Sequence, residues 1–422
     1  VALEKFARYF DVEARTVPVS EESRYVLDPR KALEYIDENT IGMFIILGST
    51  YTGHFESVEE MSRLLDDLQA RTGIDVPIHV DGASGAFVAP FAFPEHRWAF
   101  DVSRVVSINA SGHKYGLAYP GIGWVLWKSR EYLPKDLIFE LHYLGGTEET
   151  YTLNFSRPAC FVIAQYYTFI RYGYKGYAQV MNTCLHNARL LSVALEATDI
   201  FCVLSDIHRP HGIKGHSTAN IKAARELFIA ESNKDYELHD PNQNLPYNVG
   251  VPVVSFRVSD EYLRDHPELD QDALSTMFRV RGWIVPNYEL PRDCNNTYIF
   301  RIVVKETTTE DMVDNFLQDI LWAVSTLEKI SMKEHNVLSH IPQPSYHTIP
   351  KLARHLTNLG AREKKEEEAE EEGAKPAQRT KPAASGTLYD RIVGTYLRHK
   401  GSLDEVKRKS KGSGKDLFSH TC

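Results

Sequence analysis

Apolar and polar positions alternate along this chain on two periods, and the alternation predicts helices and strands in turn. Residues 1–10 carry a helical stripe, residues 12–19 read as a strand and residues 28–37 as a helix. Residues 41–47 form a continuous apolar run ending in Gly48-Ser49-Thr50, which predicts a strand buried on both faces. A helix follows over 57–70: Ser57 and Glu60 stand at capping-box spacing, and Met61, Leu64, Leu65 and Leu68 make its apolar stripe. Further strands are expected at 76–80, ending at Asp81, at 104–108 and at 122–127. Strands alternating with helices predict an α/β fold with a large, parallel-rich sheet. In such sheets ligands gather at the carboxyl ends of strands, and Thr50, Asp81 and segment 111–114 all lie just past expected strand ends.

Residues 158–198 read as helix, with one or two breaks around Gly173 and Gly176. Strands at 201–204, 252–257 and 298–304 and helices at 263–281 and 310–330 predict a smaller C-terminal α+β domain. The expected organisation is a large domain over 1–184, the smaller domain over 185–342, and a tail over 343–422. Segment 208–248 is polar, with scattered His, Pro and Asn, and is expected to be a long surface insertion. In the tail, residues 363–372 are a charge run and 373–386 are rich in Ala, Pro and Lys, which predicts a disordered linker. Residues 388–397 suit a short amphipathic helix, and the end of the chain is basic.

Composition removes several function classes. A net charge of −9 argues against nucleic acid as a partner, because a phosphate-binding surface needs a basic excess. No apolar run is long enough to span a bilayer. Cys160, Cys184, Cys202, Cys294 and Cys422 are odd in number and show neither CxxC nor zinc-ligand spacing, which predicts isolated thiols in a reducing, cytoplasmic setting. His208, His211 and His216 cluster without a cysteine or paired-carboxylate pattern, so solvated loop histidines are expected rather than a metal site. GxGxxG and P-loop motifs are missing from the positions that would give them meaning.

Two segments carry candidate chemistry. In Ser107-Ile108-Asn109-Ala110-Ser111-Gly112-His113-Lys114-Tyr115-Gly116, a lysine follows a strand in a small-residue turn beside a hydroxyl and an imidazole. Desolvation there would lower its pKa, and a neutral amine attacks aldehydes. Alone, the segment suits a surface lysine in a turn at least as well. In His79-Val80-Asp81-Gly82-Ala83-Ser84-Gly85, a carboxylate ends an apolar strand and small residues follow. It could hold a protonated ring nitrogen, or simply cap a helix.

Together, HVDGASG and INASGHKYG resemble the group II decarboxylases of the aspartate aminotransferase superfamily, the fold type I enzymes dependent on pyridoxal 5'-phosphate, and among these the glutamate decarboxylases. The resemblance continues in segments 5–9, 37–42, 50–53, 71–75, 143–146, 154–158 and 279–283; it is dense over 1–200 and looser over 250–330. It implies conversion of L-glutamate to 4-aminobutyrate and CO2. Lys114 would hold the cofactor covalently, Asp81 would pair with its ring nitrogen and Ala83 would lie against one ring face. Thr50 would sit near the ring substituents or the substrate carboxylate. Ser111 and His113 would bind the phosphate, with Ser156 contributed by a neighbouring subunit of a homodimer. Tyr143 would belong to a hairpin reaching the partner's site, and Arg301 would hold the substrate's α-carboxylate region.

The resemblance has gaps. The chain starts at Val1 without a methionine, and the family's N-terminal region, with much of the side-chain pocket, is not visible; poor cofactor retention is the expectation. Residues 418–422 resemble the bacterial ending whose penultimate histidine covers the site, with His420 in that place, although a disordered terminus fits too. The basic tail has no tryptophan beyond Trp322, so calmodulin is not an expected partner. Alternatives are a decarboxylase for an aromatic amino acid, histidine or aspartate, a lyase of phosphorylated sphingoid bases, and a non-catalytic scaffold of the same fold.

Overall fold

The structure, a computed structural model, describes residues 2–338 apart from 143, 144, 153, 155, 235–239, 241 and 268. The first sheet contains β1 (Met43–Ile46), β2 (Ile78–Asp81), β3 (Val105–Ser111) and β4 (Gly123–Trp127), side by side in that order. β1, β2 and β3 run parallel, and β4 pairs antiparallel with β3. Ser57 accepts the Glu60 N–H and starts the helix Val58–Thr72, which ends on Gly73 in the left-handed region at φ 79°. Val58, Met61 and Leu65 of this helix share one core with Ile45, Leu47, Ile78, Val80, Val105 and Ile108. Each such side chain contributes about 1.5–3 kcal/mol by leaving water, so this layer anchors the strand ends.

A register irregularity separates Ile78 from His79. Ile78 pairs with Val105, but His79 pairs with Ser107, Val80 with Ile108 and Asp81 with Asn109. Val106 is skipped, and the strand turns its polar residues to one face while Ile108 and Ala110 stay buried.

A hairpin of β5 (Phe139–Leu141) and β6 (Glu148–Thr150) follows. The second sheet is antiparallel, with β7 (Phe201–Val203), β8 (Val253–Val258), β9 (Asn287–Glu289) and β10 (Tyr298–Val303) in the order β7-β8-β10-β9. Between them the helix Cys160–Glu196 runs through residue 184 and breaks at Gly173, whose φ of 56° and ψ of −171° only glycine adopts readily. Its second half, with Tyr177, Met181 and Leu185, packs with Val88, Tyr115, Val251 and Val253.

The chain divides into two compact units. Among the described residues, one comprises 2–259 and 286–313 and holds both sheets and the hairpin; the other comprises 260–285 and 314–338. In the second, the helix Gln271–Val280 is capped by Asp270, and Phe278 and Trp283 set their rings 5.9 and 5.1 Å from that of Phe316.

Four sequence expectations need correction. Residues 12–19 form no strand: Pro18 removes a ladder donor, and Arg15 is held instead by Asp37 and the Tyr35 carbonyl. Residues 28–37 supply only one α-helical turn, Pro29–Ala32, and a 3-10 turn, Leu33–Tyr35. The helix expected over 263–281 is two, Asp260–Asp265 and Gln271–Val280, parted around Pro267. Segment 208–248 is not all surface: it contains the helix Thr218–Ser232, and His208 and Arg209 are 0% exposed. The cause is charge pairing, since Arg209 bonds both Glu196 and Asp206, and His208 bonds Glu196. No described helix is long and apolar enough to cross a membrane. The linker, the basic tail and His420 lie outside the described residues.

Candidate functional site

Parallel pairing brings the carboxyl ends of β2 and β3 to one edge of the first sheet. β2 ends at Asp81. Its Oδ1 accepts the Ala83 N–H at 3.0 Å and Asn109 Nδ2–H at 3.1 Å. Among the described residues no hydrogen bond reaches Oδ2.

β3 ends at Ser111 and runs into the turn that carries Lys114. The Lys114 N–H bonds the Ser111 carbonyl, and the Ala118 N–H bonds that of Gly112. The turn needs its glycines: a Cβ on Gly116 would lie 2.6 Å from the Gly112 carbonyl oxygen. Gln165 and Tyr177, on the helix Cys160–Glu196, clamp the Gly116 carbonyl at 2.7 and 2.8 Å. Tyr115 is buried, and its hydroxyl lies 3.3 Å from the carbonyls of both Pro252 and Val304. With Tyr115 turned inward, Lys114 faces the open edge.

Lys114 Nζ donates to Ser84 Oγ at 3.3 Å. Desolvation lowers the pKa of this amine; the Asp81 charge opposes that shift and the Arg301 charge adds to it. The amine is thereby biased toward its nucleophilic form. Arg301, on β10, donates to the Thr50 carbonyl at 2.9 Å, with its guanidinium 5.9 Å from the centre of the Tyr288 ring. The Thr50 loop is pinned by Gly53, at φ 80°, where the Val251 oxygen and Val253 Cβ lie 3.0 Å from any added Cβ.

The structure therefore brings Lys114, Asp81, Ala83, Thr50 and Arg301 to one place. Ser111 sits at the end of β3, half-buried. His113 is exposed, with Nδ1 3.3 Å from the Ile122 carbonyl. Ser156 is exposed between β6 and the helix Cys160–Glu196. Tyr143 lies outside the described residues.

Sequence reasoning passed over several groups at this edge. Ser107, His79 and Asn109 form a hydrogen-bonded row that ends on Asp81. Ser84 meets Lys114, and Tyr288 lies under Arg301 with a buried hydroxyl. Glu56 is buried, accepts the N–H groups of Leu27 and Ile46, and has its carboxyl pushed up to about 7 by burial. A signal existed for the row: 79 and 81 share a strand face, as do 107 and 109, within strands that, Ser111 apart, are otherwise apolar.

A lysine amine in the turn after β3 and a carboxylate at the end of β2, with one oxygen not hydrogen-bonded among the described residues, are groups that suit an aldehyde carrying a basic ring nitrogen. Residues 1–211 match the model of the pyridoxal-dependent decarboxylase conserved domain, which is half of the chain. The chain belongs to the pyridoxal-dependent decarboxylase family. It is similar to glutamate decarboxylase of Saccharomyces cerevisiae, 41% identical over 82% of this chain and 59% of that protein. It is also similar to glutamate decarboxylase of Petunia hybrida, 42% identical over 76% of this chain and 55% of the relative. Among solved structures, glutamate decarboxylase of Lactobacillus brevis superposes with a TM-score of 0.64 at 33% identity, covering 77% of this chain and 64% of that one. The chain thus spans less than two thirds of each, and the fold is that of the type I pyridoxal-phosphate enzymes. The donor set fits this cofactor: Lys114 offers an amine for its aldehyde, and Asp81 Oδ2 an acceptor for its ring N–H.

Proposed function

We propose that the protein to which this chain belongs decarboxylates L-glutamate to 4-aminobutyrate and CO2. The observation that carries the reading is the placement of Lys114, in the turn after β3, and of the strand-end carboxylate Asp81, on the adjacent parallel strand β2, at one edge of the sheet. The names of the similar proteins, glutamate decarboxylases of yeast, plant and bacterial origin, supply the substrate.

Bound pyridoxal phosphate supplies an electron sink for the pair left behind when the substrate carboxylate departs as CO2. The chain's own groups prepare that event. Lys114 would hold the cofactor through its amine. Asp81, fixed at Oδ1, would accept the ring N–H at Oδ2 and so favour its retention. Arg301, tied to the Thr50 carbonyl, presents a fixed positive charge to a substrate carboxylate. Ser111 and His113 at the end of β3 offer donors for the phosphate. Ser156 and Tyr143 are read as contributions across a homodimer, and the free thiols of Cys160, Cys184, Cys202 and Cys294 suit a cytoplasmic setting.

The test is 4-aminobutyrate formation from L-glutamate with added pyridoxal phosphate, with Lys114→Ala as control. Product that depends on Lys114 is the expected result. Cofactor held at Lys114 without turnover of glutamate would overturn the substrate and leave the family chemistry standing.

A further inference from the structure

The row that ends on Asp81 has a direction, and the charge at its end sets it. Oδ1 of an ionised Asp81 can only accept, so Asn109 must present Nδ2 to it, 3.1 Å away. That choice turns Asn109 Oδ1 toward His79 Nε2 at 3.0 Å, and an amide oxygen requires a hydrogen on that nitrogen. His79 Nδ1 then has no hydrogen and accepts from Ser107 Oγ, 2.7 Å away. Flipping the Asn109 amide would set two acceptors against each other at Asp81. The irregular register between Ile78 and His79 builds the row, since it places Ser107 beside His79 and Asn109 beside Asp81. An unbroken register would set Asp81 beside Ile108.

We propose that His79 and Asn109 are positioning residues: His79, as the neutral Nε2–H tautomer, locks the Asn109 amide, which holds the Asp81 carboxylate with Oδ2 turned to the cofactor nitrogen. The proposal rests on the functional reading above and adds two residues that do not touch the cofactor. Burial supports it, because desolvation lowers the His79 pKa against the opposing effects of Asn109 and Asp81. Phe44 adds to that burial, with its ring 5.2 Å from the imidazole.

The first experiment needs no cofactor. Nitrogen-15 NMR of the histidine-labelled chain at neutral pH, with the His79 signals assigned by their loss in His79→Gln, should show the Nε2–H tautomer. In Asn109→Leu the hydrogen should move to Nδ1 and face Ser107. A wild-type imidazolium or Nδ1–H ring would overturn the proposal. The second compares pyridoxal phosphate binding and its visible absorption in wild type, Asn109→Leu and His79→Gln, with borohydride-trapped mass on Lys114 as reference. Loss of the charged hydrogen bond in Asn109→Leu should weaken binding about tenfold and shift the band, while His79→Gln, which keeps a donor to Asn109, should retain most of both. An unchanged band and affinity in Asn109→Leu would overturn the positioning role. If wild type traps no cofactor on Lys114 even at saturating pyridoxal phosphate, the functional reading fails, and the tautomer alone then decides whether the row is as proposed.

Discussion

Asp81 ends β2 and Asp206 follows β7, yet the chain treats them in opposite ways. Asp206 is buried and saturated: its carboxylate accepts from Arg24 at 2.9 and 3.2 Å, from Arg209 at 3.1 Å and from the Gly215 N–H at 3.1 Å. His54 Nε2 stands 3.3 Å from its second oxygen. Arg209 continues to Glu196, which also takes His208 Nε2 at 3.1 Å. Two carboxylates and two guanidiniums thus neutralise one another away from water. Asp81 is half-buried, its Oδ1 is committed, and Oδ2 has no hydrogen bond among the described residues. A charge closed on every side can serve only the fold, whereas one fixed on one side and open on the other remains available to a ligand.

Substitutions of equal size separate the two. Asp81→Asn should cut decarboxylation by about a thousandfold, because a neutral amide no longer holds the ring nitrogen's proton, while the melting temperature stays within a few degrees. Steady-state rates and a thermal melt on the same sample check this, and wild-type turnover would remove Asp81 from its role. Asp206→Asn should do the reverse and cost about 3–5 kcal/mol of stability by leaving Arg24 and Arg209 buried without their shared counter-charge. Urea denaturation would read that loss, and an unchanged midpoint would break the comparison.

Acidity sharpens the contrast. Burial alone would raise the Asp206 pKa, but the side chains of His54 and Arg24 hold it well below the ordinary carboxylate range. Its stabilisation is therefore complete above the unfolded-state value, about 4, and drains away as pH falls through the lower native value. Glu56 has the opposite sign. With its carboxyl at about 7 in the fold against an ordinary 4.5, the native chain keeps a proton that the unfolded chain has released, so stability falls as pH rises across that interval. Melting temperatures from pH 4.5 to 7 should lose part of this slope in Glu56→Gln; an identical slope would remove Glu56 as its source.

The smallest effect is expected beside the site. Tyr115→Phe deletes a buried hydroxyl near the Pro252 and Val304 carbonyls and should cost about 1 kcal/mol in urea denaturation, with a modest loss of cofactor retention as the Lys114 turn loosens. A larger loss of retention than of stability would show that Tyr115 aims the lysine as well as anchoring the turn.

Much of the α/β frame was legible because its signals are local. The apolar run ending at Gly48 became β1, Ser57 does cap the next helix, and Gly173 does break the long one. The segments around Asp81 and Lys114 could be read because small residues flank a lone charged residue at the end of an apolar run. Where the reading failed, partners remote in sequence decided. Residues 208 and 209 look like surface polar residues until Glu196 and Asp206 neutralise them, and residues 12–19 alternate like a strand but find no ladder.

By itself, the sequence determined the order of strands and helices and the residue types at the strand ends, since periodicity and turn chemistry are carried by near neighbours. Only the tertiary structure decided that Asp81 stands beside Asn109, that Arg301 reaches the Thr50 carbonyl across 251 residues, and that Asp206 is closed while Asp81 stays open. Those outcomes depend on strand register and on pairing between distant charges, neither of which a local pattern encodes.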